Sequence, residues 1–241
     1  MMPSPVLHRE QTSGHWKKGI QAGLPIAIGY MPVAFTFGLL AKAAGLSLFE
    51  TLGMSFIVFA GASQYIALSM IAAASGAAEL ILTTFIMNIR HLLMSASLKE
   101  RAEEEPKWLR AFYAFFITDE TFSVAATSPE KKITGSYLLG LGIIAYSSWV
   151  LFSGVGYMMG AGLPAALQNS MGIALYAMFI ALLVPAAKKS RKVIALAASA
   201  AILNCFFSMI PALSGGWGII LSTTISAVSI EFFMKGDEKS E

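Results

Sequence analysis

Apolar runs of membrane-crossing length follow one another along this chain, separated by short polar connections. A crossing of the hydrocarbon core takes about 20 residues. Runs of that order extend from Gly19 to Ala41, Phe49 to Ala74, Glu79 to Leu98, Gly135 to Met158, Ala166 to Ala187, Val193 to Ile210 and Trp217 to Met234. Inside a bilayer the backbone amides find no water, so a spanning segment satisfies them itself as a helix or in a closed barrel. Runs this long read as helices. The fold class is therefore all-α, a polytopic integral membrane protein. The chain is 56% hydrophobic and 13% charged, where a soluble domain carries about 25% charged residues. Seven to eight transmembrane helices fill its 241 residues and leave no room for a cytosolic catalytic domain.

The chain divides into a polar amino-terminal segment, 1–18, a first membrane half, 19–127, a second membrane half, 128–234, and a charged tail, 235–241. Residues 1–18 carry Arg9, Lys17 and Lys18 without an apolar core ending in a small-residue cleavage site. No cleavable signal peptide is expected, and the first span would serve as its own signal. The net charge of +3 comes from basic residues at span ends. Positive-inside flanks account for them, and a nucleic-acid partner is not expected. Lys188 to Lys192 form the most basic loop, which places it in the cytoplasm. Cys205 stands alone, which excludes an internal disulfide.

The number of crossings turns on Ala111–Thr127, which holds Asp119 and Glu120 at its centre. Eight spans put both termini inside. Seven spans, with Ala111–Thr127 not crossing, concentrate Lys and Arg more strongly in the cytoplasm but require a basic amino terminus to cross. A re-entrant Ala111–Thr127 is the third option.

Polar groups embedded in apolar spans are the candidate site residues, because they should face protein, water or a substrate pathway. The second span contains Gly61, Ser63 and Gln64; the third contains Asn88, Arg90 and His91; the next segment contains Asp119 and Glu120. Small residues let helix backbones approach closely, which is the plain reading of Gly61 and Ser63. Arg90 either snorkels to an interface or is buried against a carboxylate or an anionic group. Asp119 and Glu120 diverge by about 100° on a helix, so one partner is met by one acid. In the first span Pro25 and Pro32, with Gly29 between them, signal either kinks or a broken helix that exposes backbone groups near the midplane.

A weak internal repeat aligns Ala44–Ser47 with Ala161–Pro164, Met54 with Met171 and Asn88 with Asn204. Transporters are often built from such halves with a site between them. Here the polar residues lie in the first half, and the second answers with Ala181, Phe206, Phe207, Thr223 and Thr224.

Four motifs in order carry a family resemblance. They are Gly23-Leu24-Pro25 through Gly29-Tyr30-Met31-Pro32 to Phe37-Gly38, Phe59-Ala60-Gly61-Ala62-Ser63-Gln64, Asn88-Ile89-Arg90-His91-Leu92-Leu93, and Thr118-Asp119-Glu120-Thr121-Phe122. Together they resemble the AzlC family of branched-chain amino acid transport proteins. The resemblance implies the large subunit of a two-component exporter of branched-chain amino acids such as L-valine, in the bacterial inner (plasma) membrane, with a small AzlD-type membrane protein as partner. No P-loop is present, so this chain is not expected to bind ATP. A gradient-driven mechanism fits better.

A branched-chain amino acid asks for a cation or free backbone N–H groups at its carboxylate, an acid or carbonyls at its ammonium, and an aliphatic pocket. Arg90 or the first helix near Pro25–Pro32 would take the carboxylate. Asp119 or Glu120 would take the ammonium or a coupling proton, with Gln64 and Asn88 orienting the substrate. A membrane enzyme is not expected, because His8, His15 and His91 form neither a nucleophile pair nor a metal set with Cys205. No metal or cofactor is expected. A structural or assembly subunit without its own pathway, or an exporter of another small solute, remains the competing reading.

Overall fold

The computed structural model describes residues 5–130, 132–159, 190–210 and 216–233, with residues 162, 164, 180, 183, 184, 187, 188 and 213. The expected span Ala166–Ala187 lies almost wholly outside those residues, as do the repeat positions Ala161, Leu163, Met171 and Ala181 and the tail 235–241.

Helices dominate the described residues: α1 (Pro5–Ala43), α2 (Leu48–Ile57), α3 (Gly61–Ala72), α4 (Ala77–Lys99), α5 (Lys107–Ala114), α6 (Asp119–Ala126), α7 (Gly135–Met159), α8 (Arg191–Ser208) and α9 (Gly216–Phe233). Among the described residues four stretches, Gly14–Ala43, Ala77–Lys99, Gly135–Met159 and Arg191–Ser208, are long and apolar enough to cross a membrane. Seven or eight crossings are not established by these helices.

The chain forms two compact units, one of residues 1–65 and 88–172, the other of residues 66–87 and 173–241. The boundaries run through α3 and α4.

In the first unit α1 and α7 lie side by side along their length. Glycine makes this possible. A Cβ at Gly19 would strike the Tyr137 carbonyl, one at Gly38 the Ser153 carbonyl, and one at Gly156 the Phe35 carbonyl. Gly140 likewise faces the Trp16 carbonyl. Without side chains at these points the two backbones come into contact, the usual route to tight association in lipid.

The proline-bearing first span is not broken, contrary to one of the two expectations: α1 runs unbroken through Pro25 and Pro32. The glycine-lined contact with α7 reaches from Gly19, before both prolines, to Gly38, after them. Ser148 on α7 donates to the Ala27 carbonyl at 2.6 Å, and Tyr65 on α3 donates to the Val33 carbonyl at 2.7 Å. These hydroxyls tie the proline-bearing stretch to its neighbours.

The breaks fall elsewhere. The second span stops at Ile57, passes through Val58–Ala60 and restarts at Gly61. Val58 sits at φ −117° and ψ 86°, outside the helical region. Phe59 and Ala60 are buried at the break, and Gly61 lies against the indole of Trp149, where a Cβ would not fit.

Of the three options for Ala111–Thr127, a single crossing helix is not what forms. The segment is α5 and α6, eight residues each, joined by a turn through Phe115–Thr118. Neither is long enough to cross a bilayer, which needs about 20 residues. The reason for the bend is the cap: Thr118 accepts from the Thr121 N–H at 3.3 Å, while the Thr118 N–H donates to Thr121 Oγ1 at 2.7 Å. This reciprocal cap starts a new helix at Asp119. Asp119 and Glu120 then occupy its first turn, where the helix dipole favours negative charge. At the other end the Arg101 guanidinium donates to the Ala126 carbonyl, to Ser128 O at 2.8 Å and to Glu130 O at 2.7 Å. Orphan carbonyls at a helix C-terminus are thereby satisfied by a cation.

In the second unit α8 packs against α9. Lys192 pairs with Glu231 at 2.7 Å, and Glu79 accepts from the Trp217 N–H at 3.2 Å near the start of α9. Among the described residues α8 buries none of its side chains within the chain and exposes Ile194, Ile202 and Phe206.

Candidate functional site

The embedded polar residues of the first unit gather in three linked places. The first is a closed hydrogen-bond circuit under the broken second span. Trp149 Nε1–H donates to Gln64 Oε1 at 2.8 Å, Gln64 Nε2 donates to Ser55 Oγ at 3.3 Å, and Ser55 donates to Ser153 Oγ at 2.9 Å. Ser153 returns to the Trp149 carbonyl at 2.8 Å. Gln64 is fully buried, and its partners are protein groups on α2 and α7. The amide that the sequence leaves in need of a partner thus ties α3 to both.

Gln64→Leu is expected to lower stability by about 1–3 kcal/mol, since the buried indole N–H loses its acceptor. Thermal unfolding in detergent measures it. Adding Trp149→Phe should then cost less than the sum of the two single changes, because the orphaned donor is gone.

The second place joins α3 to α4: Ser63 donates to Asn88 Oδ1 at 2.6 Å. This bond holds the start of α3 against the stretch of α4 that bears Arg90. Ser63 is buried, and Asn88 and His91 are half-buried.

The third place carries the charge. Arg90 Nη2 lies 3.0 Å from Asp119 Oδ2, with the Arg and Asp side chains 40% and 26% exposed. Arg90 Nε is buried without a hydrogen-bond partner, so the guanidinium keeps an unused donor beside its ion pair. Asp119 and Glu120 diverge as adjacent helical residues do. Glu120 Oε2 accepts from the Tyr30 hydroxyl at 2.6 Å, and Thr118 Oγ1 sits 2.8 Å from that same hydroxyl. Because the phenol has one proton and it faces the carboxylate, Thr118 donates to Tyr30. Tyr30 is buried edge-on to Phe59 and Trp149, with ring centroids 6.1 and 5.3 Å away.

This constellation therefore draws on α1 (Tyr30), the break before α3 (Phe59), α4 (Arg90), α6 (Asp119, Glu120) and α7 (Trp149). Pro25 and Gly29 are exposed on α1 and Pro32 is half-buried. Nothing approaches the place a Gly29 Cβ would take. The broken first helix that would expose backbone groups at Pro25–Pro32 is not formed, since α1 is continuous there; α3 begins at Gly61 after the break, and its first intrahelical bond is donated by Gln64 to the Ala60 carbonyl. The N–H groups of Gly61, Ala62 and Ser63 precede that bond.

Sequence reasoning did not single out Trp149 or Tyr30. The signal for Trp149 was an indole N–H in a long apolar span, a donor that needs an acceptor when buried. Among the described residues no group of three or more His, Cys, Asp or Glu is placed to hold a metal ion.

The family model described as AzlC protein matches residues 25–163, a stretch that contains every residue of this constellation. The chain belongs to the AzlC family. Among AzlC-like relatives, the inner membrane protein YgaZ of Escherichia coli is 33% identical over 82% of this chain and 83% of its own. An uncharacterized membrane protein of Archaeoglobus fulgidus is 32% identical over 74% of this chain and 79% of its own. The branched-chain amino acid transport protein AzlC of Bacillus subtilis is 22% identical over 76% and 72%. No solved structure matches the chain significantly. With these relatives and its apolar helices, the chain is a membrane protein.

Proposed function

We propose that this chain is a transporter subunit that exports branched-chain amino acids of the L-valine type across the bacterial inner membrane, acting with a small AzlD-type membrane protein and without ATP. The observation that carries the reading is the family match over residues 25–163, because it contains the Arg90–Asp119 pair and the Tyr30–Glu120 bond. The name of the Bacillus subtilis relative supports the cargo class, and that of the Escherichia coli relative supports the inner membrane.

In this reading Arg90 receives the substrate carboxylate. Its unpartnered Nε and its Nη2, now on Asp119, together offer the fork geometry that a carboxylate accepts. Asp119, released from Arg90, and Glu120 are then the acids available for the ammonium group or for a coupling proton. The Tyr30 hydroxyl donates to Glu120 and fixes where its carboxylate sits. The rings of Phe59 and Tyr146, with centroids 5.2 Å apart, and that of Trp149 would offer an aliphatic side chain apolar contact. Gln64 holds the broken helix in place and does not contact substrate. We do not assign this chain any covalent chemistry.

The test is efflux of labelled valine from dipeptide-loaded bacterial cells that lack their own exporters, with this gene expressed alone and with the gene for its AzlD-type partner. Efflux with the pair is the expected result, at least several times the rate of either alone. Equal retention by all strains, with both proteins in the membrane, overturns the valine reading and points to another small solute. Efflux by the partner alone assigns this chain a structural role.

A further inference from the structure

A second site lies away from these residues, where the polar end of α4 meets α5. The two enclose a cleft of about 370 Å³ whose cationic lining comes from Lys99, Lys107 and Arg110, with apolar walls that include Leu98, Ala114 and Ile117. No carboxylate lines it. The four acids of the adjoining connection lie outside the lining: Glu100, Glu103 and Glu104 are exposed, and Glu105, half-buried, accepts from the Gly135 N–H at 2.8 Å. Among the described residues none of the three cleft cations makes an ion pair.

The surroundings show what such a cleft meets. α4 is a membrane-length apolar helix that ends at Lys99, and α5 follows after a polar connection. α5 is two-faced. It turns Tyr113 inward and leaves Trp108 and Phe112 exposed at 71% and 52%, one helical turn apart. An exposed aromatic row beside basic residues is the pattern of a helix lying at headgroup depth, its rings in the interface and its cations at the phosphates.

We propose that this cleft binds the phosphate of an anionic phospholipid, with Lys99, Lys107 and Arg110 around the headgroup and one acyl chain along Leu98, Ala114 and Ile117. Free inorganic phosphate would satisfy the same cations but not the apolar walls. The mixture of three cations with an apolar lining selects the lipid, since a soluble anion gains nothing from burying methyl and methylene groups. The bound lipid would pin α5, and with it the turn that leads into Asp119, to the membrane surface.

Native mass spectrometry of the full chain in detergent, titrated with phosphatidylglycerol or with phosphatidylethanolamine, tests the proposal. Phosphatidylglycerol should bind at least about fivefold more tightly, the effect expected for one added favourable charge contact at a membrane surface. The variant Lys99→Gln/Lys107→Gln/Arg110→Gln should lose this preference. Lys17→Gln/Lys18→Gln/Lys132→Gln removes the same charge outside the cleft and should keep it. All the exchanged cations but Arg110 are exposed, and a melting curve on each variant confirms that it is folded. Equal binding of the two lipids by the unmodified chain overturns the proposal. So does a preference that survives in the cleft variant or disappears in both variants alike. Millimolar inorganic phosphate should leave lipid binding unchanged, and displacement of phosphatidylglycerol by phosphate would reassign the cleft to a soluble anion.

Discussion

Arg90→Ala is expected to lower the proposed valine export by this chain and its proposed partner about tenfold or more, and Asp119→Asn by a similar factor. A charge-assisted hydrogen bond contributes about 1.5–3 kcal/mol, which corresponds to roughly one to two decades in a rate or affinity. The effect on stability should be smaller. Both side chains are partly exposed, at 40% and 26%, so solvent or headgroups screen the charge left behind. Protein levels in the membrane should therefore stay near those of the unmodified chain while export falls. The decisive variant exchanges the pair, Arg90→Asp with Asp119→Arg. An ion pair that only fastens α4 to α6 works in either polarity, so restored export would assign it that role and remove Arg90 as the carboxylate receptor. A normal protein level without export is the outcome expected here, because the substrate carboxylate would then meet an acid on α4.

The second large effect concerns the glycine seam between α1 and α7. Gly156→Ala adds one methyl group, yet it should cost about 3 kcal/mol or more, at the upper end of what overpacking costs. The added carbon would collide with the Phe35 carbonyl and the backbone around it, and a backbone cannot rotate away as a side chain can. The helices would have to separate, which loosens the contacts along both. Gly53→Ala is the matched control. Nothing lies within 4 Å of a Cβ at Gly53 in α2, and alanine is the better helix former by about 1 kcal/mol. Melting of the purified proteins in detergent should therefore move in opposite directions for the two. Similar behaviour of the two variants would mean that α1 and α7 are not in backbone contact.

Much of this architecture was legible along the chain. Apolar runs marked α4, α7 and α8 near their observed limits, since any long stretch without charge in lipid has to satisfy its own amides. The candidate charges Arg90, Asp119 and Glu120 were visible for the same reason. A charge amid apolar residues is costly unless something answers it, and of the two readings of Arg90 the structure shows the one that sets it against a carboxylate, that of Asp119.

The breaks were harder to read. Proline advertises a broken helix, and Pro25 and Pro32 lie in a continuous one, whereas Val58–Ala60 interrupts a span that contains no proline. Local propensity is a weak signal when neighbouring helices supply the missing contacts. The glycines of α1 and α7 let the first helix pack along its neighbour without a break, while the Trp149 indole over Gly61 and the Gln64 circuit hold the second one apart.

The sequence by itself determined that this chain is a helical membrane protein of the AzlC family, and which of its residues are too polar to face lipid. Those properties follow from composition and order, because transfer into hydrocarbon is a cost each residue bears wherever its neighbours come from. Only the tertiary structure decided that Asp119 answers Arg90 while Glu120 answers Tyr30, that Gln64 is spent on Trp149 and Ser55, and that Lys99, Lys107 and Arg110 share a cleft. Pairings of this kind depend on which helix faces lie together. That is set by close packing between segments distant in sequence, which no local pattern encodes.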